Sequence, residues 1–261
     1  MQQADQLLAQ GDLAGARAAL VDHVRTQPGD ARARMFLFQL LAVAGEWDKA
    51  KKQLATLASL SAEAQMLAVV YNGVIAAEEL RGRVFAGETP MPLLHAGDWA
   101  AGIGEAITLA AAGRHDEAEA ARDAAFDAAP DTPGSIDGDR FDWIADADGR
   151  FGPSFEAIIG DRYGLITFDQ VRKITSEGPV DLRDVVWLPV QLELAMGHSI
   201  AAMIPTRYPG SEFSAEDNER MARATGWYSG EAGEVGRGQR LWTTSDGADH
   251  PLLALRTLTI D

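Results

Sequence analysis

Few side chains in this 261-residue sequence stand at the spacings that chemistry requires. The five histidines, His23, His95, His115, His198 and His250, are scattered with neither HxxxH nor HExxH spacing, so no zinc-site pattern is present. Cysteine is absent, which excludes disulfides, thiolate metal sites and cysteine nucleophiles. FDWIADADGR brings Asp142, Asp146 and Asp148 together, and its DADG resembles the opening of a calcium loop. With Asp146 at position 1, however, position 5 is Arg150 and position 12 is Ala157, where such a loop needs a ligand and a bidentate glutamate. These carboxylates are expected to cap turns or to pair with Arg140 and Arg150. The stretch GEAGEVGRGQR (230–240) has neither GxGxxG nor GxxxxGK[ST] and leads into a strand, so it reads as a flexible turn. No GxSxG elbow occurs, and 39 acidic residues offer carboxylate pairs almost at will. The expectation is a protein with no catalytic residue, no metal and no cofactor.

Composition narrows the class further. With 46% hydrophobic and 24% charged residues the chain has the make-up of a globular protein. The formal net charge is −16, from 23 basic and 39 acidic residues. Such a surface repels phosphate backbones and anionic lipid, so neither nucleic acid nor membrane is an expected partner. The opening MQQADQLLAQGD lacks the basic and apolar regions of a signal peptide, and no apolar run approaches the roughly 20 residues of a membrane span, so a cytoplasmic protein is expected.

The elements that must carry any site begin with an internal period. An offset of 34 places Leu7 on Leu41, Gly11 on Gly45, Leu13 on Trp47, Ala16 on Ala50 and Leu20 on Leu54. A further 68 places Leu41 on Leu109, Gly45 on Gly113 and Ala50 on Ala118, and Pro28 and Pro130 share one phase. Each copy reads as helix, tight turn, helix. The glycines stand where a first helix ends in a left-handed residue, the alanines where two helices cross closely, and the prolines where the second helix stops. This is the tetratricopeptide pattern. In the phase of a further copy, Glu79 and Val84 replace glycine and alanine, so Ser61 to Val84 reads as one longer helix or an irregular repeat. Residues 86–98 read as a loop feeding a third pair.

After Pro130 the texture changes. DTPGSIDGDR is a loop, and the short runs 164–168, 171–175, 185–194, 198–205, 240–244 and 252–260 read as strands. Residues 214–225 read as a helix with Ser214 as N-cap. Trp187 and Trp242, inside strand-like runs, are expected in the core. The fold class is therefore α+β: tetratricopeptide-like helical repeats over 1–130, then an α+β domain with a mainly antiparallel sheet over 131–261. Both parts are acidic, −6 and −10, so no basic patch hides in the average.

The repeat region followed by FDWIADADGRFGPSFEAIIGDRYGLI, PVDLRDVVWLPVQLEL, IPTRYPGSE and GQRLW resembles the ImpE/TagJ (SciE-like) family of type VI secretion accessory proteins across nearly the whole chain. The resemblance implies a non-enzymatic cytoplasmic adaptor that binds a helix of the small contractile-sheath subunit and is linked to the ClpV-type AAA+ ATPase that dismantles contracted sheath. Helical repeats suit this, because stacked hairpins form a concave wall for a peptide or helix. By repeat phase Met35, Gln39 and Val43 line that groove with Arg32 at its edge, and Ile103 and Ile107 continue it. Arg207 and Tyr208, in a turn after a strand, are further partner-binding candidates for which exposed and buried readings stand equal. A repeat scaffold with another partner is the alternative reading. An enzyme in the second half is a weaker one, and it requires a pocket around Asp142, Asp146, Arg207 and Arg240.

Overall fold

The computed structural model describes residues 1–231 and 233–261. Seven helices come first: α1 (Gln2–Ala9), α2 (Leu13–Thr26), α3 (Ala31–Val43), α4 (Trp47–Ala58), α5 (Ala62–Phe85), α6 (Ala101–Ala111) and α7 (His115–Ala128). The repeat phase marks their turns correctly. Gly11, Gly45 and Gly113 take φ of +88°, +67° and +74°, the left-handed region that glycine enters without steric cost. Ala16, Ala50 and Ala118 are buried at the crossings. Asp12 and Asp30 cap α2 and α3 by accepting from Gly15 N (2.7 Å) and Ala33 N (3.0 Å). The segment read as one longer helix or an irregular repeat is a single 24-residue helix, α5.

Residues 86–98 are more than a loop. They contain β1 (Leu93–His95), which pairs in parallel with β6 (Arg162–Thr167). The remaining strands are β2 (Gly134–Ile136), β3 (Asp139–Phe141), β4 (Ile144–Asp146), β5 (Ser154–Ile159), β7 (Val171–Thr175), β8 (Trp187–Leu194), β9 (Ser199–Pro205), β10 (Thr225–Gly230), β11 (Gly233–Gly238), β12 (Leu241–Thr244), β13 (Asp249–Pro251) and β14 (Thr257–Ile260). The main sheet runs β1-β6-β5-β9-β8-β7-β14-β2-β3, antiparallel except at β1. Its two faces have different duties, set by the period of two along each strand. Phe155 and Ala157 face a core closed by β13-β12-β4, where Phe155, Phe168 and Trp242 meet with ring centroids 5.1 to 5.5 Å apart. Ile158, Tyr163, Leu165 and Trp187 face the helices, in a core continuous with that of α1 to α6.

Three expectations for the second half fail: residues 131–140, read as a loop, hold β2 and the start of β3, which pair as a hairpin. The helix over 214–225 shrinks to the single turn α8 (Asp217–Arg220), because the Ser214 hydroxyl bonds the Glu219 carboxylate (2.5 Å) and Ala222 turns left-handed at φ +52°. The glycine-rich stretch is not a flexible turn: β11 pairs along its length with β10. Its glycines are there for closeness. A Cβ on Gly236 would come within 2.4 Å of the Tyr208 ring, and one on Gly238 would strike the Ala224 carbonyl. Ala232 lies outside the described residues.

Helices and sheet are joined by buried charge. Arg81 of α5 grips Glu156 of β5 with two bonds, Nε to Oε1 (2.7 Å) and Nη2 to Oε2 (2.8 Å), and reaches the Arg207 carbonyl at 2.8 Å. Glu78, one turn earlier, accepts from the Trp187 indole N–H at 2.9 Å. Glu156 also accepts from Tyr163 Oη (2.5 Å) and pairs with Arg240, which in turn pairs with Asp146. The Arg240 guanidinium lies between the rings of Phe151 and Tyr208, 4.6 and 4.9 Å from their centroids. Burial alone would raise the Glu156 carboxyl, but Arg81 and Arg240 outweigh it and hold it near 2. Burial dominates at Asp146 and pushes it up to about 6 against the attraction of Arg240.

These directions have opposite consequences for stability. The Glu156 contribution is intact above its ordinary value of 4.5 and is lost as pH falls toward 2. The Asp146 contribution is present below 3.8 and is lost as pH rises through about 6. Glu156→Gln, which leaves two buried guanidiniums undercompensated, should lower stability at pH 7 by about 3–5 kcal/mol in urea titration. Asp146→Asn should destabilise less at pH 7 than at pH 4.

Candidate functional site

The expected groove is present in the chain but is used internally. Gln39 and Val43 are buried under the second half of the protein: the 3-10 turn Leu182–Val185 packs on α3, and Arg207 donates to the Val43 carbonyl at 2.8 Å. That turn is the Asp-Leu-Arg-Asp segment. Asp181 accepts from Arg183 N (2.8 Å), Asp184 accepts from Asp181 N (3.0 Å), and the Arg183 guanidinium lies 4.8 Å from the centroid of Tyr71 on α5. Of the four residues expected from the second helical pair, only Arg32 is exposed, with Met35 half-buried against the core.

Arg207 and Tyr208 are likewise interior. The Arg207 guanidinium bonds the carbonyls of Val43 and Arg220, joining the end of α3 to α8, and burial lowers it to about 10. The Tyr208 hydroxyl donates to Asp146 (3.0 Å) and accepts from Leu241 N (3.0 Å). Both were offered as partner contacts; their burial makes them parts of the joint between the halves. The Arg-Tyr-Pro-Gly-Ser segment holds its turn by Ser211, whose hydroxyl donates to the Tyr208 carbonyl (2.6 Å) and accepts from Gly238 N (2.8 Å). Asp146 and Arg240 are sealed in the same interior, while Asp142 is exposed and apart from them, so these four residues form no pocket. Asp148 pairs with Arg150 as expected (2.6 Å), whereas Arg140 takes Asp261. Among the described residues there is no group of three or more His, Asp and Glu placed to hold a metal ion.

What opens to solvent is a cleft of about 470 Å³ between the α6–α7 hairpin and the β10–β11 ribbon. Its floor is apolar: Phe85 at the end of α5, Ala106, Ile107 and Ala110 on α6, and Val235 on β11. Ile107 thus lines this cleft, whereas Ile103, one turn earlier, is fully buried. The rim carries Asp116, Glu119 and Glu231 against His115, Arg122 and Arg150. Arg150 is fixed there by Asp148 and by the Phe85 and Phe151 rings, each 5.5 Å from its guanidinium carbon. It also borders a second, charged cleft of about 570 Å³ beside Glu79, Arg83 and Glu212. The ribbon wall was invisible in the sequence because its glycines resemble those of a loop.

Tetratricopeptide-like helical hairpins docked on a mainly antiparallel sheet, with an apolar cleft between the last hairpin and a two-stranded ribbon, define the class of fold. Comparison with known proteins is consistent with this. Residues 138–259 match the family model described as ImpE protein, and residues 7–70 match a tetratricopeptide repeat model. The chain is 42% identical over 259 residues to the type VI secretion system accessory component TagJ of Pseudomonas aeruginosa, covering 99% of this chain and 91% of that protein. The crystal structure of protein VPA1032 from Vibrio parahaemolyticus shares the fold, with a TM-score of 0.89 and 19% identity over 99% of this chain and 97% of that one. The chain belongs to the ImpE/TagJ family. Among the described residues no helix is long and apolar enough to cross a membrane.

Arg207→Met leaves the Val43 and Arg220 carbonyls without their donor. Urea denaturation should show a loss of about 2–3 kcal/mol, a structural effect that a surface contact residue would not produce.

Proposed function

We propose that this protein is a non-enzymatic cytoplasmic accessory component of a type VI secretion system, and that it holds a helix of the small contractile-sheath subunit. The observation that carries the reading is the 42% identity, over almost the full length of both chains, to an accessory component of that system. The family resemblance supplies the sheath subunit as partner and the ClpV-type ATPase as the machine to which it is linked.

The geometry favours the α6–α7 cleft as the place of docking. Its apolar floor suits one face of an amphipathic helix, and its rim offers both signs of charge, Asp116, Glu119 and Glu231 with His115, Arg122 and Arg150, to the polar groups that flank that face. Ile107 contributes from the floor, while Arg32 and Met35, on the outer part of α3, form a second region for contact.

The test is binding of purified sheath small subunit by isothermal calorimetry. Ala110→Glu and Val235→Glu place charge on the floor without emptying the core and should weaken binding about tenfold or more, with unchanged circular dichroism. Undiminished binding in both variants would move the site to Arg32 and Met35; no binding by the unaltered protein would remove the sheath subunit as partner.

A further inference from the structure

Arg150 lies where the two clefts meet. The clefts share two lining residues, Arg150 and Phe85, and with the guanidinium carbon 5.5 Å from the Phe85 centroid the pair forms a saddle between the apolar cleft and the charged one. The guanidinium is held from one side. Asp148, fully buried, accepts from Arg150 N (3.0 Å), Nε (2.9 Å) and Nη2 (2.6 Å), and it also accepts from Gly236 N on β11 at 2.7 Å. One loop carboxylate thus fixes both the arginine and the ribbon wall beside it. Nη1 makes no bond among the described residues, and the Arg150 side chain is 22% exposed. A rigid donor with an unused edge beside an apolar floor marks a place for an acceptor.

Charge decides which acceptor. Asp148 already neutralises Arg150, and the two clefts together are lined by seven acidic side chains against four arginines and His115. A carboxylate brought to Nη1 would find its counter-charge already paired and an excess of like charge around it; a neutral carbonyl meets no such opposition. An amphipathic helix with its apolar face on the floor has unpaired carbonyls in its last turn, and the helix dipole favours a cation at that end. Resting on the reading of the α6–α7 cleft as the docking place of a helix, we propose that Arg150 caps the C-terminal end of that helix and so fixes its direction. The helix ends at the saddle, and the chain that follows it crosses into the second cleft, beside Phe213.

Arg150→Lys separates this role from a structural one, because lysine can still pair with Asp148 but cannot hold that carboxylate and offer a second donor in the same plane. The variant should keep its urea midpoint and circular dichroism and bind the sheath small subunit about tenfold more weakly in calorimetry. Direction is read by cross-linking, for which the lack of cysteine leaves no background. Phe213→Cys, at a residue 79% exposed in the second cleft, should form a disulfide with a cysteine placed directly after the partner's helix about tenfold faster than with one placed directly before it. This measurement needs no change at Arg150 and decides alone if the lysine variant loses stability. Binding by Arg150→Lys as tight as that of the unaltered protein, or cross-linking no faster to the trailing cysteine than to the leading one, would overturn the proposal and leave the docking itself in place. No binding by the unaltered protein would remove both.

Discussion

Glu156 is the carboxylate on which both halves of the molecule close. A buried charge is tolerable only when its neighbours replace the water it has lost, and Glu156 is supplied by Arg81 from the helices and by Arg240 from the segment entering β12. The first arginine fixes α5 on the sheet; the second, held between two aromatic rings, fixes Asp146 and through it the smaller sheet. Bidentate geometry allows little sliding, so the helix cannot rotate or shift by a turn without breaking several bonds at once. Apolar packing supplies the bulk of the cohesion here, and the charges set its register.

That register explains why the concave side of the repeats is occupied. The same closure that brings Arg81 to Glu156 lays the Asp-Leu-Arg-Asp turn against α3 and sends Arg207 to the end of that helix. The helices thus recognise the protein's own second half in the way that such arrays recognise a partner. The open apolar cleft lies instead at the third hairpin, where the ribbon forms the opposite wall.

The helical half was legible in the sequence because its signals are local. Gly11, Gly45 and Gly113 each mark a left-handed turn, and a 34-residue period needs no knowledge of distant contacts. Trp187 and Trp242 were legible as core for the same reason, being large apolar groups in strand-like runs. Gln39 and Val43 were read as lining an open groove because their cover, Arg207 and the Asp-Leu-Arg-Asp turn, lies more than a hundred residues away; for Arg207 and Tyr208 the exposed and buried readings stood equal, and their contacts with Val43 and Asp146 decide for the interior. A polar side chain after a strand has no local mark that says whether it meets solvent or a helix end. The glycines of β11 were misread in a related way: glycine permits both flexibility and close approach, and only the Tyr208 ring distinguishes the two.

The short strand β1 has a consequence for how the molecule can be divided. Although it precedes α6 and α7 in the chain, it forms one edge of the main sheet beside β6. A cut after the helices would carry that edge away, leaving β6 with a bare row of amide and carbonyl groups open to pairing with other chains. The boundary at residue 130 therefore does not separate two self-contained parts, since the sheet takes one edge strand from the chain before α6. A fragment made of the sheet alone would have to begin before β1 to keep that edge paired.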